Sequence, residues 1–229
     1  MGLQSVSVPH FSWDVEPVWE EIEMQVKRSI LKATAAILVS VGAFAQTPAP
    51  APKAAPRLVL WVTTNAWPDG GEIPMTNAAR GENKSPAFEF HWNLGTNPAT
   101  APDSLQSYAV IFHDVENSSN KTTNDTLHWS AFNIPGTAKG LPEGLGSGDL
   151  PDGTRNGPGI ASRGGKPGAY FGPGAGPGPI HHYVFEFYAL DTKLDLPATT
   201  TREDMLKAMD GHVVGKAAWF GRFHTPSPQ

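Results

Sequence analysis

In the stretch SYAVIFHD, residues 107–114, an acid ends an apolar run, while in LHWSAFNI (127–134) and HHYVFEFYAL (181–190) histidines stand at the start of one. Side chains two apart on a strand point the same way. Asp114 then shares a face with Tyr108, Val110 and Phe112, His128 with Ser130, Phe132 and Ile134, and His181 and Tyr183 with Phe185 and Phe187. If the apolar faces pack inward, the polar ends meet at one rim of the core. A carboxylate, two imidazoles and a phenol in one place suit a small anionic or zwitterionic group, each charge-assisted hydrogen bond being worth about 1.5 to 3 kcal/mol.

The loop before the last of these stretches, PGAYFGPGAGPGPI (167–180), is little but glycine and proline. Gly172, Gly174, Gly176 and Gly178 would let backbone N–H groups approach an anion with no Cβ in the way, which makes the loop the lip of a pocket. It is no nucleotide cradle: a strand rather than a helix follows it, and Gly165-Lys166 runs into Pro167. Other chemistries compete for the same side chains. They could form a buried hydrogen-bonded cluster, since buried polar groups are ordinarily paired. Two histidines and a carboxylate would also suffice for zinc with one open position, but no H-x-H or H-E-x-x-H spacing supports a metal and none is assigned. Ser130 lies two residues from His128, without the G-x-S-x-G turn of a hydrolase nucleophile. His113 and His182 alternate to the opposite face and read as structural or exposed.

The elements that must position these groups are mostly strands. RLVLWVTT (57–64) and AFEFHWNL (87–94) join the three stretches above; each is β-branched or aromatic and bounded by Gly, Pro, Asn or Asp. The 24 glycines and 22 prolines in 229 residues favour strands and turns over long helices. One helix is expected, within TREDMLKAMDGHVVGKAAWF (201–220). Thr201 and Asp204 read as an N-cap and its partner, and Met205, Met209, Val213 and Lys216 follow helical spacing. It should pack over the sheet. The net charge of -5, with no long basic run, leaves no electrostatic footprint for nucleic acid. The absence of cysteine excludes disulfides, thiolate nucleophiles and Cys-type zinc sites.

The first quarter of the chain reads as an address. Lys27, Arg28 and Lys32 form a positive segment, residues 33–41 a short apolar one, and Ala43-Phe44-Ala45 a cleavage pattern before Gln46. A signal peptide over 24–45, cleaved after Ala45, predicts a periplasmic or secreted protein. The apolar stretch is too short for a permanent span, which takes about 20 residues. Asp14, Glu16, Glu20, Glu21 and Glu23 fit badly upstream of such a signal, so residues 1–23 are read as an extension ahead of the true start at Met24. QTPAPAPKAAP (46–56) is an extended Pro/Ala-rich tether. The folded domain is 57–225.

These motifs together carry a family resemblance. YFGPGAGPGPIHHYVFEFYALD resembles the Y-x-GP-x-PP-x-G-HRY-x-F-x-x-YALD signature of the phosphatidylethanolamine-binding protein family, also known as the Raf kinase inhibitor protein family, in its bacterial YbhB/YbcL-type branch. DGGEIP (69–74) with GENKSPAFEF (81–90) resembles its N-terminal hairpin region, LHWSAFNIPG with LPEG its central strand and following turn, and GHVVGKAAWFGRF its closing helix and strand. The resemblance implies a mainly β fold with a central antiparallel sheet, a smaller flanking sheet and a C-terminal α-helix. It places the ligand-binding residues at Asp114, Glu116, His128, Gly172, Pro173, His181 and Tyr183. It implies a non-enzymatic protein with no cofactor, binding a small anionic or phosphoethanolamine-type ligand. Peripheral phospholipid and an unspecified protein partner are further expected contacts, and the competing reading is a secreted modulator of an enzyme acting through its surface. The chain departs from the family pattern at the rim: D-P-D-x-P becomes DVENS, with Val115, Glu116 and Ser118 replacing Pro, Asp and Pro; the PP pair is missing, and HRY is HHY.

Overall fold

A computed structural model describes residues 56–118, 121, 123–160 and 168–225. The readings of residues 1–23, 24–45 and 46–55 lie outside this range. Two sheets are present. The smaller holds β1 (Leu58–Thr63), β3 (Phe88–Leu94), β4 (Asn97–Ala99) and β7 (Gly140–Leu141). The larger runs in the order β2 (Gly71–Glu72), β10 (Val213–Phe223), β9 (His181–Leu190), β5 (Ser107–Ser118), β6 (Asp125–Pro135) and β8 (Arg155–Asn156). Every described pairing is antiparallel except that of β2 with β10. DGGEIP therefore does not pair with GENKSPAFEF as a hairpin: β2 crosses to the larger sheet, and β3 pairs with β1.

The main core lies between the sheets. Leu60, Val62, Phe88 and Phe90 meet Tyr108, Val110, Phe112, Phe185 and Phe187, all buried. The rings pack closely, Phe112 stacked on Phe185 with centroids 3.9 Å apart and Phe88 edge-on to Phe187 at 4.8 Å. Each large apolar side chain so buried stabilises the fold by about 1.5 to 3 kcal/mol. The opposite face of the larger sheet carries a second cluster, in which Ile111, Phe132 and Leu190 pack against Met205 and Met209 of the single described α-helix, α1 (Arg202–Met209).

That helix is shorter than the sequence pattern predicts. Asp210, Gly211 and His212 interrupt it, Gly211 taking the left-handed backbone (φ 81°) that glycine adopts without steric cost. The rest of the expected helix is β10. Its Ala217, Trp219 and Gly221 lie opposite Phe187, Phe185 and Tyr183 on β9, so ladder pairing and the alternating core face override an apparent helical spacing. The cap itself is formed: Asp204 N donates to Thr201 Oγ1 (3.0 Å), which donates to Asp204 Oδ2 (2.9 Å). Thr201→Ala is expected to lower the unfolding free energy by about 1 kcal/mol, read as an earlier midpoint of urea unfolding at unchanged slope.

Strand alternation holds on β5 and β9, where Asp114, Phe112 and Val110 lie opposite Tyr183, Phe185 and Phe187 in unbroken register. It fails on β6. Phe112 pairs with Trp129 but His113 with Leu127, leaving His128 as an extra residue; farther along, Tyr108 pairs with Ile134 but Val110 with Ala131, and Asn133 has φ 56°. Each bulge reverses which side chains face the core beyond it. The expected common face of His128, Ser130, Phe132 and Ile134 is thus divided. Phe132 joins the second cluster, and Ser130 falls opposite Ile111 with its hydroxyl donating to the Pro158 carbonyl (2.8 Å), away from His128.

Candidate functional site

At one end of the main core the strands leave a cavity of about 330 Å³ lined by Asp114 from β5, His128 from β6, His181 and Tyr183 from β9, and Gly174 and Ala175 from the preceding loop. The convergence predicted for the four polar side chains is therefore present, although His128 reaches it through the bulge rather than by alternation. His128 is buried edge-on against Tyr183, with ring centroids 5.3 Å apart.

The hydrogen bonds orient both imidazoles. His181 Nδ1–H donates to Asp114 Oδ2 at 2.7 Å, and His128 Nδ1–H faces the carbonyls of Phe171 and Gly172 at 3.0 and 3.1 Å. With Nδ1–H committed in each ring, charging either histidine means adding a proton at Nε2. Asp114 Oδ1 also accepts the Glu116 amide (3.1 Å), so this carboxylate fixes both the imidazole and the end of its own strand.

Tyr183 is fully buried, and its hydroxyl has no hydrogen-bond partner among the described residues. Burial, and then the nearby Asp114 carboxylate, push its pKa well above that of a free phenol; the Gly174 and Ala175 amides act in the opposite sense. It therefore stays a neutral O–H donor at any physiological pH.

Three residues expected to line the pocket instead build its frame. Glu116 is outside the lining: its Oε2 accepts the His182 amide and its Oε1 the His182 Nδ1–H, both at 2.6 Å. Partial burial pushes the Glu116 pKa up, but these His182 hydrogen bonds outweigh it and hold the carboxyl below its usual range. Two of the departures from the family motif, the glutamate in DVENS and the second histidine in HHY, thus bond to each other. Gly172 donates its N–H to Asn83 Oδ1 (2.8 Å) and so does not offer it to a ligand, while the Pro173 carbonyl accepts the Ala79 amide (2.9 Å). The glycines at 176 and 178 are exposed and do not line the cavity; the amides that do are those of Gly174 and Ala175. His113 sits buried on the other face, its Nδ1 2.5 Å from Asp125 Oδ2.

Asp114, Glu116 and His181 each have one potential metal-ligating atom within 4.8 Å of the others. Both Glu116 oxygens are already engaged by His182, so a metal held there would cost that two-point contact. Sequence reasoning missed two polar lining residues, Arg80 and Asn117. Asn117 lay in sight, three residues beyond Asp114. Arg80 comes from a turn with no periodicity to reveal it.

Two packed β-sheets with a small Asp/His/His/Tyr cavity at the end of the larger one define the phosphatidylethanolamine-binding class, and the chain belongs to that family: the family model described as "Phosphatidylethanolamine-binding protein" matches residues 63–224. Among relatives, a UPF0098 protein of Methanothermobacter thermautotrophicus is 38% identical over 161 residues, covering 70% of this chain and 95% of the relative. A UPF0098 protein of Chlamydia muridarum is 26% identical, covering 72% and 98%. Among solved structures, the phosphatidylethanolamine-binding protein homologue CT736 of Chlamydia trachomatis superposes with a TM-score of 0.60 at 25% identity, over 73% of this chain and 99% of that one. YbcL of E. coli has the same fold, with a TM-score of 0.58 at 23% identity over 73% and 99%.

Proposed function

We propose that the protein is a non-enzymatic binding protein, exported to the periplasm or secreted, whose cavity takes a small phosphate-type anion such as the phosphoethanolamine head group. The observation that carries this reading is the buried Tyr183 hydroxyl, which makes no hydrogen bond to any described residue. A buried donor left unmade costs about 1 to 3 kcal/mol, so the hydroxyl favours an oxygen acceptor in the cavity. His128 and His181 add Nε2 donors once protonated, and Asp114 holds His181 in orientation. No serine or threonine is among the described residues that line the cavity, and Ser130 is turned to the opposite face and bonded to Pro158.

The proton count sets the sign of the pH dependence. A ligand oxygen accepts from Nε2 only when that nitrogen is protonated, and with Nδ1–H already committed the ring is then an imidazolium. Histidine ordinarily titrates near pH 6.5, so affinity should rise as pH falls. A phosphomonoester titrates in the same range, so the cleaner probe is glycerophosphoethanolamine, a diester of constant charge. Titrating it calorimetrically into protein purified without phosphate or acetate is expected to show binding about tenfold tighter at pH 5.5 than at pH 8. Equal affinity at the two values would remove the imidazoles from anion binding.

A further inference from the structure

We propose that Arg80 is the pH-independent cation of this cavity and makes it select a phosphomonoester over a phosphodiester, an inference that rests on reading the cavity as an anion site. Arg80 lines the same cavity as Asp114, His128, His181 and Tyr183. Arg80 is exposed, and no carboxylate among the described residues is paired with it. Glu82, the acid nearest in sequence, is spent on Lys84 at 2.6 Å. A guanidinium without a carboxylate, at the mouth of a site with a buried orphan donor, has its fork of N–H groups available for two oxygens of one phosphate.

The turn that carries Arg80 is tied to the pocket's frame on both sides. The amide before it, Ala79 N, donates to Pro173 O (2.9 Å), and just after it Gly81 N donates to Ala78 O (2.9 Å). Asn83 then returns to the loop, accepting the Gly172 amide at 2.8 Å, and Tyr170 donates its hydroxyl to Asn77 O at 2.8 Å. These bonds fix the Arg80 backbone relative to the Gly174 and Ala175 amides before any ligand arrives. Less ordering then remains to oppose binding.

Charge decides what such a site prefers. At pH 8 an ordinary histidine is neutral, Tyr183 is a neutral phenol, and Glu116 is occupied by His182. Among the described residues the facing charges are then Asp114, which repels an anion, and Arg80, which attracts it. Without Arg80 the described residues at that pH offer a phosphate neutral donors and one repelling charge, and no attracting charge. Attraction and repulsion both grow in proportion to ligand charge; an Arg80 fork bonded directly to two phosphate oxygens is the nearer charge and dominates, and a monoester carries nearly two negative charges where a diester carries one. The shared chemistry is a phosphate ester of ethanolamine: the monoester is the free head group, the diester the form found in a lipid.

The test titrates phosphoethanolamine and glycerophosphoethanolamine separately into wild type, Arg80→Gln and Arg80→Lys at pH 8 and pH 5.5, with thermal melts to confirm the fold. Wild type is expected to prefer the monoester at pH 8, and Arg80→Gln to weaken it about tenfold there. At pH 5.5, on the acid side of the ordinary histidine range, the loss in Arg80→Gln should shrink to about threefold or less. Arg80→Lys, which keeps the charge without the fork, should fall between. Wild-type binding matched by Arg80→Gln at pH 8, or no preference for the monoester, would overturn this proposal and leave the anion pocket standing. If wild type binds neither ester at either pH, the anion reading fails, and this inference with it.

Discussion

Replacing His181 by alanine is expected to weaken phosphoethanolamine binding by about 100-fold or more, because it truncates one member of a largely buried hydrogen-bonded charge pair. The loss has two parts. The ligand forfeits the Nε2 donor, and Asp114, which donated nothing but accepted His181 Nδ1–H at 2.7 Å, is left as an uncompensated carboxylate facing an anion. His182→Ala is the control, since that side chain is exposed and bonded to Glu116 away from the cavity. It keeps the backbone amide that Glu116 Oε2 accepts and should leave affinity within about threefold, less than one charged hydrogen bond. Equal losses in the two variants, measured by native mass spectrometry and calorimetry at pH 5.5, would mean that the end of β9 had been disturbed and that the imidazole itself binds nothing.

How far this site could be read from residues alone follows the regularity of the backbone. Asp114, His181 and Tyr183 were legible because β5 and β9 keep register to the very pair, Asp114 opposite Tyr183, that bounds the cavity. Period-two alternation then suffices. His128 reaches the cavity through a bulge rather than by alternation, and the residues expected to share its face divide between two clusters. β10 was hidden because Met205, Met209, Val213 and Lys216 satisfy a helical template, while its strand character depends on pairing with β9, a partner no local window contains. Glu116 was expected in the lining, but the feature that moves it, His182, lies 66 residues away. The same pairing explains two motif departures as one local arrangement. Arg80 had no pattern to betray it: its position is set by bonds to Pro173 and Gly172, across the chain.

Gly172→Ala is expected to destabilise the fold by about 1 to 3 kcal/mol or more, a fall of roughly 2 to 4 °C in Tm for each kcal/mol in a domain of this size, and to impair binding as well. The cause is crowding by backbone, which cannot rotate out of the way. A Cβ at Gly172 would stand 2.0 Å from Asn77 O and 3.0 Å from the Ala78 backbone. The chain must move, and what moves is the frame: the Gly172 carbonyl faces His128 Nδ1–H, and its amide holds Asn83 in the turn that presents Arg80. Gly174→Ala separates this from a general intolerance of the loop, because a Cβ there would meet only the Ala79 Cβ, at 4.0 Å, an ordinary contact. It should melt within about 1 °C of wild type, surface changes clear of packed backbone being close to neutral. Gly174 lines the cavity while Gly172 does not. A Gly172→Ala protein that melts and binds like wild type would show that the loop sets itself against β6 without this close approach, and the positioning of both His128 and Arg80 would then need another cause.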